Sequence, residues 1–371
     1  MPDVPVPAAI DNTALRNACD RWLSGSRPRR SARESLLRLA ELPEAADALD
    51  VYGEGRVVAA LEAEVGALLG KPAASFFHKG VAAQLAALAV WSGGVREARV
   101  ALHRQSHIEL DEEQAHEHLL GLRGQRLGEV DAPFGVAELA ALRETPAVVV
   151  VELPLRRAGF RLPEWRELEA ISAWCRERGV PLHFDGARLW ESAPHYGREL
   201  REIAALADSV YVSFYKGLGG LAGCVLAGPA DFVAKTQLWK SRLAGNVYTV
   251  YPYVLSALDG LRTQLPRMGA YRERARALAA ALSAEKGWVV LPEPPQVNSF
   301  QLHLPGEPAA LAQAMRDIAG REKFWLGARC ARSAVPGHGM LEIAIGDAAD
   351  DWRDEEVVAL FRAVVHAALA R

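Results

Sequence analysis

Apolar residues recur at three- and four-residue spacings from Ser31 to Ala46 and from Val57 to Leu69, the period of amphipathic helices. The second pattern runs into Gly70-Lys-Pro72, which predicts its stop. A short apolar run from Ala73 to Phe77, the segment His78-Lys79-Gly80 and an alanine-rich stretch from Val81 to Trp91 predict strand, turn and buried helix. Farther on, the valine-rich run Ala147 to Leu153 reads as a strand buried on both faces. It leads through a loop to an amphipathic helix, Glu164 to Arg178, closed by Gly179. A strand over Val180 to Phe184, a polar turn at Asp185-Gly186, a helix around Glu199 to Ala207 and a strand over Ser209 to Phe214 follow. Strands and helices alternating over short connections predict βαβ units and a mostly parallel sheet.

Beyond Leu261 the texture changes. A basic helical pattern from Arg267 to Ala284 meets a break at Pro292-Glu-Pro-Pro295. Ser299 to His303 and Leu341 to Ile345 then alternate like strands of a half-exposed antiparallel sheet. The expected organisation is an N-terminal arm over 1–30, a large domain over 31–260 and a smaller C-terminal α+β domain over 261–371.

Composition narrows the function classes. The 371 residues are 50% hydrophobic and 24% charged, which excludes a disordered or collagenous chain. With 43 Lys+Arg against 46 Asp+Glu the formal charge is −3, so no global basic field recruits nucleic acid or an anionic membrane, although Arg27, Arg29 and Arg30 cluster locally. No secretory signal and no apolar run of membrane-spanning length is apparent. Cys19, Cys175, Cys224 and Cys330 form no CxxC pair and suit free thiols in a reducing cytosol. A cytoplasmic protein without nucleic-acid or membrane partners is expected.

Ligands of parallel α/β sheets bind beyond the carboxyl ends of the strands. Glu152, Asp185 and Lys216 fall at such ends, and Lys216 opens the glycine-rich turn Gly217 to Gly223. A lysine and a carboxylate on neighbouring strand ends are what pyridoxal 5'-phosphate (PLP) requires: an amine for the Schiff base and an acid that keeps the ring nitrogen protonated. The residues alone leave a plainer alternative open, a solvated lysine and a turn aspartate.

His183-Phe-Asp-Gly-Ala-Arg188 followed by Ser213-Phe-Tyr-Lys-Gly-Leu-Gly219 resembles the paired signature of the threonine aldolase and β-eliminating lyase family. Tyr52-Gly-Glu-Gly55, the turn around Gly80, Ser106-His-Ile108 and the stretch Val148 to Gly228 have family counterparts in the same order. The resemblance implies an α/β PLP-dependent transferase-like fold (fold type I), its large mostly parallel sheet covered by helices on both faces. It implies Lys216 as the Schiff-base lysine, Asp185 at the pyridine nitrogen, His107 stacked on the ring, and Lys79, Gly80 and Val81 at the phosphate. Arg188 would take the substrate α-carboxylate. The implied reaction is retro-aldol cleavage of a β-hydroxy-α-amino acid, with His107 or a water held by Glu112 as base, in a homodimer or homotetramer.

The chain also departs from the family pattern. The phosphate loop reads Lys79-Gly80-Val81 in place of Ser-Gly-Thr, and Glu152-Leu-Pro-Leu-Arg156 stands where many members have Asn-Thr-His. The histidine before that strand has no counterpart near Leu142 to Pro146, and basic residues are replaced around Ser241 to Tyr248. The C-terminal carboxylate-binding arginine falls at Glu342, with Arg329 or Arg332 as candidate replacements. Ser24, Ser26 and Arg27-Pro28-Arg29 are candidates for the missing N-terminal Arg-Ser-Asp-Thr segment. These departures keep β-elimination, decarboxylation, transamination and a decayed, non-catalytic binding protein as alternatives. Gly217, Gly219 and Gly223 are too widely spaced for GxGxxG. Neither His103 with His107 nor His116-Glu-His118 sits in an HExxH or cysteine setting, so no catalytic metal is expected.

Overall fold

The computed structural model describes residues 12–27 and 31–371. Its strands are β1 (Arg21–Trp22), β2 (Ala73–Phe77), β3 (Arg99–His103), β4 (Arg123–Leu127), β5 (Val148–Glu152), β6 (Leu182–Gly186) and β7 (Ser209–Ser213). They continue with β8 (Cys224–Gly228), β9 (Val289–Leu291), β10 (Ser299–Pro305), β11 (Phe324–Trp325), β12 (Ala331–Arg332) and β13 (His338–Ala344). Seven of them form one sheet in the order β2-β8-β7-β6-β5-β3-β4. β3 to β7 run parallel, and β8 runs against both of its neighbours.

The valine run explains the layering. Val149 and Val151 enter one apolar cluster with Leu61, Leu168 and Ile171, whereas Val148 and Val150 enter another with Leu88 and Ile108. A strand with period 2 and apolar side chains at both phases is covered on both faces, and β5 to β8 are buried throughout. Gly70 and Gly179 adopt left-handed backbone at φ 60° and 63° and end the helices Arg56–Leu69 and Trp165–Arg178, as their place in the sequence predicts.

β12-β13-β10-β9 form a second, antiparallel sheet. β13 alternates buried and half-exposed residues as expected, but β10 is buried on both faces. Phe300 and Leu302 pair with Ile343 and Leu341 and belong to the apolar core, while Gln301 pairs with Glu342 and donates to the Arg157 carbonyl of the large sheet's β5 loop at 3.3 Å. The polar face of the small sheet therefore looks toward that loop. The boundary expected between 260 and 261 falls within the helix Tyr251–Thr263. Of the expected N-terminal arm, β1 pairs in parallel with β11 and buries Leu23 completely, so this segment is fastened to the C-terminal part of the chain. No helix among the described residues is long and apolar enough to cross a membrane.

Candidate active site

Parallel pairing puts the carboxyl ends of β3, β5, β6 and β7 along one edge, and β2, antiparallel to β8, ends there too. Each of these ends carries a polar segment. β5 and β6 are in register so that Glu152 lies beside Asp185, both buried. Burial raises the pKa of each carboxyl, and for Glu152 the Asp185 charge adds to the rise. Glu152 offsets part of its desolvation by accepting two backbone N–H bonds, from His107 at 2.8 Å and from Arg156 at 3.1 Å. One buried carboxylate thereby fixes the loop after β3 and the loop after β5.

His107 begins the short helix His107–Leu110, which Ser106 caps by accepting from the Glu109 N–H. Its Nδ1 lies 3.0 Å from Glu112 Oε1. Burial opposes the imidazolium, but the Glu112 hydrogen bond and the charges of Asp185, Glu112 and Glu152 outweigh it and leave the pKa raised. A second oxygen of Glu112 is buried without a hydrogen bond among the described residues.

Lys216 follows β7, with Nζ 5.0 Å from the centroid of the Tyr215 ring. Burial first, then Arg188 and Arg156, push its pKa down to about 8 against the opposing pull of Asp185. The turn it opens needs small residues. The Gly217 N–H donates to Glu191 at 3.0 Å, and a Cβ at Gly217 would stand 2.3 Å from that carboxylate oxygen. Gly219 is at φ 67° beneath Ser26, whose hydroxyl a Cβ would meet at 2.4 Å.

Lys79 N-caps the helix Gly80–Trp91, with Val81 as its second residue, and reaches within 5.8 Å of the Tyr215 ring from the exposed side. Gly80 is required here, because a Cβ would sit 2.2 Å from the Tyr211 hydroxyl. Arg188 approaches the Phe160 ring at 5.3 Å, and its guanidinium makes no ion pair among the described residues.

The structure thus gathers Lys216, Asp185, His107, Arg188, Lys79, Gly80 and Val81 around one edge. It does not add Arg329 or Arg332, which are exposed on the small sheet's side; the strongest cationic influences on Lys216 are Arg188, Arg156 and Lys79. Arg156 is the cation that the sequence pattern missed. Glu342 holds it at 2.9 and 3.0 Å, and Asp111 stands 3.7 Å from another of its nitrogens. Of the candidate N-terminal replacement, Ser26 reaches the lysine turn and Arg27 pairs with Asp351 at 2.8 Å, while Pro28, Arg29 and Arg30 lie outside the described residues.

The donor set fits PLP: a glycine-opened helix N-terminus for phosphate, a half-buried amine with a depressed pKa, and a buried carboxylate with no salt-bridge partner among the described residues. Comparison with known proteins agrees. The low specificity L-threonine aldolase of Escherichia coli (strain K12) is 28% identical over 253 residues, 63% of this chain and 71% of that one. Two solved structures superpose with TM-scores of 0.87, each over 95% of this chain and 99% of its own. One is from Exiguobacterium sp. 255-15, provisionally described as an aromatic amino acid β-eliminating lyase/threonine aldolase, at 34% identity. The other is from Listeria monocytogenes EGD-E, provisionally described as an L-allo-threonine aldolase, at 33%. With its residues 39–304 matching the beta-eliminating lyase model, this chain belongs to the beta-eliminating lyase family.

Proposed function

We propose that this protein is a PLP-dependent, threonine-aldolase-like lyase that cleaves the Cα–Cβ bond of β-hydroxy-α-amino acids, releasing glycine and an aldehyde. One juxtaposition carries the reading: the half-buried amine of Lys216 shares a crevice with the buried carboxylate of Asp185, beside the guanidinium of Arg188, which has no ion pair among the described residues. The relatives described as L-threonine and L-allo-threonine aldolases support the substrate class.

When bound, PLP supplies the electron sink for carbon–carbon cleavage. Lys216 provides the amine that holds it, and Asp185 the carboxylate that keeps its ring nitrogen protonated. His107 would lie against the ring, and the N–H groups opening the helix at Gly80 and Val81, with Lys79, would receive the phosphate. Arg188 grips the substrate carboxylate, with Arg156 beside it. The His107–Glu112 pair accepts the β-hydroxyl proton. The unpaired thiols support a cytoplasmic setting. Exposed Leu36, Leu37, Leu49, Val51 and Tyr52 support a homodimer or homotetramer.

The substrate profile tests this reading. Threonine and allo-threonine should give glycine far faster than serine or cysteine derivatives give pyruvate; the reverse order would assign β-elimination. Arg188→Gln should raise KM for allo-threonine by about 100-fold with a smaller change in kcat, as loss of a charged carboxylate contact requires. An unchanged KM would remove Arg188 from the carboxylate site.

The depressed pKa of Lys216 has a kinetic signature. Lys216 would have to be neutral to bond the cofactor. At pH 7 about one in ten Lys216 side chains is neutral with a pKa of about 8, against roughly one in 3000 for an ordinary lysine. The rate of reconstitution with PLP should therefore rise with pH and level off above about 8. A rate still climbing at pH 10 would contradict the burial argument.

A further inference from the structure

We propose that Glu109, His116 and Glu117 form a binding site for a single divalent transition-metal cation, zinc by donor set, which fastens the helix carrying His107 to the helix Ala115–Leu120 beside the edge strand β4. The observations lie outside the crevice described above and do not depend on the reaction assigned to it. One donor atom from each residue, Glu109 Oε2, His116 Nε2 and Glu117 Oε1, lies within 4.8 Å of the other two. The imidazole nitrogen is 3.6 Å from the Glu109 oxygen and 4.0 Å from that of Glu117, close to the ~3.4 Å edges of a tetrahedral zinc shell.

Two of the three donors are conspicuously unsatisfied. His116 is 1% exposed, yet among the described residues neither ring nitrogen has a hydrogen-bond partner, and Glu109 Oε2 is buried in the same state. Leaving such groups without partners is expensive, and their convergence on one point gives the cost a purpose. That point is kept clear by Gly124 on β4. A Cβ there would stand 3.1 Å from Glu109 Oε2, 3.6 Å from His116 Nε2 and 4.0 Å from Glu117 Oε1.

The chemistry selects the ion. One imidazole with two carboxylates suits zinc or cobalt, whereas magnesium and calcium prefer all-oxygen shells. Arg126 holds the other oxygen of Glu109, Oε1, through its Nε at 2.6 Å, orienting the carboxylate and leaving Oε2 for the cation. Glu117 is about one-third exposed and gives the ion a path in and a water-filled fourth position. The sequence brings His116, Glu117 and His118 together by adjacency; the fold replaces His118 with Glu109, seven residues upstream of His116. Because Glu109 shares the helix His107–Leu110, a bound cation would hold the His107 backbone in place.

The test uses tag-free holoprotein treated with chelator, dialysed, and titrated with zinc sulfate by calorimetry and with cobalt chloride by visible absorption. The expected result is one zinc per chain, cobalt bands of a tetrahedral site, and a higher thermal midpoint with zinc. Glu117→Gln, at a partly exposed position, and Gly124→Ala, which fills the space and keeps all three ligands, should each weaken zinc binding by about tenfold or more. No zinc uptake by the wild type, or equal uptake by both variants, would overturn the site.

Discussion

Lys216→Ala is expected to remove the visible absorption of the PLP-loaded protein and to lower turnover by at least ~10³-fold. Lys79 approaches the same Tyr215 ring but from the exposed side, as the N-cap of the helix Gly80–Trp91. The Lys216 amine is placed by its strand: β7 is buried throughout, Gly217 locks to Glu191 immediately after it, and Gly219 folds under Ser26. Alanine fits this backbone, so the variant should fold and retain a normal thermal midpoint. Borohydride treatment of the wild type should attach the cofactor irreversibly to the peptide containing Lys216, and the variant should acquire no label. A yellow, active Lys216→Ala protein would refute the assignment.

Asp185→Asn should produce the second largest loss, about 10²- to 10³-fold in kcat, with the cofactor still bound. The carboxylate is buried with no cation within salt-bridge distance among the described residues, and burial raises its pKa. A cationic ring nitrogen is the partner that would offset this cost. The amide keeps the shape and the contact to the Ala187 N–H, which Asp185 Oδ1 accepts at 3.2 Å, but it cannot stabilise a positive ring. The expected signature is retained cofactor, a shifted absorption maximum and low turnover. Turnover equal to the wild type would take Asp185 out of the reaction.

Local pattern carried much of this site. The valine run, the apolar stretch before Lys216 and the all-round apolar helix after Gly80 each state their own burial, so β5, β7 and the helix Gly80–Trp91 are readable from period and composition. Parallel strands then bring their ends together, which unites Glu152, Asp185 and Lys216 without further information. Contacts made by side chains across long separations left no such trace. Arg156 meets Glu342 across 186 positions, and nothing in Leu-Pro-Leu-Arg signals a partner in the small sheet. The same holds for Glu191 beneath Gly217 and for Ser26 over Gly219. The double burial of β10 was equally hidden, because its polar face is covered by the loop after β5 rather than by apolar residues. The Asp185-Gly186 pair, read as a turn, lies within β6, where pairing with Tyr211 and Val212 overrides local turn preference.

Arg156 and Glu342 also tie the two parts of the chain together. Their ion pair joins the large sheet's loop to the small sheet beside the expected carboxylate position, so the two parts of the chain meet where a substrate would bind.

The central claim is that the bond broken is Cα–Cβ. Incubation of the PLP-loaded protein with L-allo-threonine labelled with carbon-13 at both C2 and C3 tests it in one NMR time course. Cleavage separates the labels, so the C2 signal should move to glycine and the C3 signal to acetaldehyde in equal amounts, with loss of the coupling between them. Labels that stay joined in 2-oxobutyrate, with ammonia released, would show elimination of the hydroxyl and contradict the account.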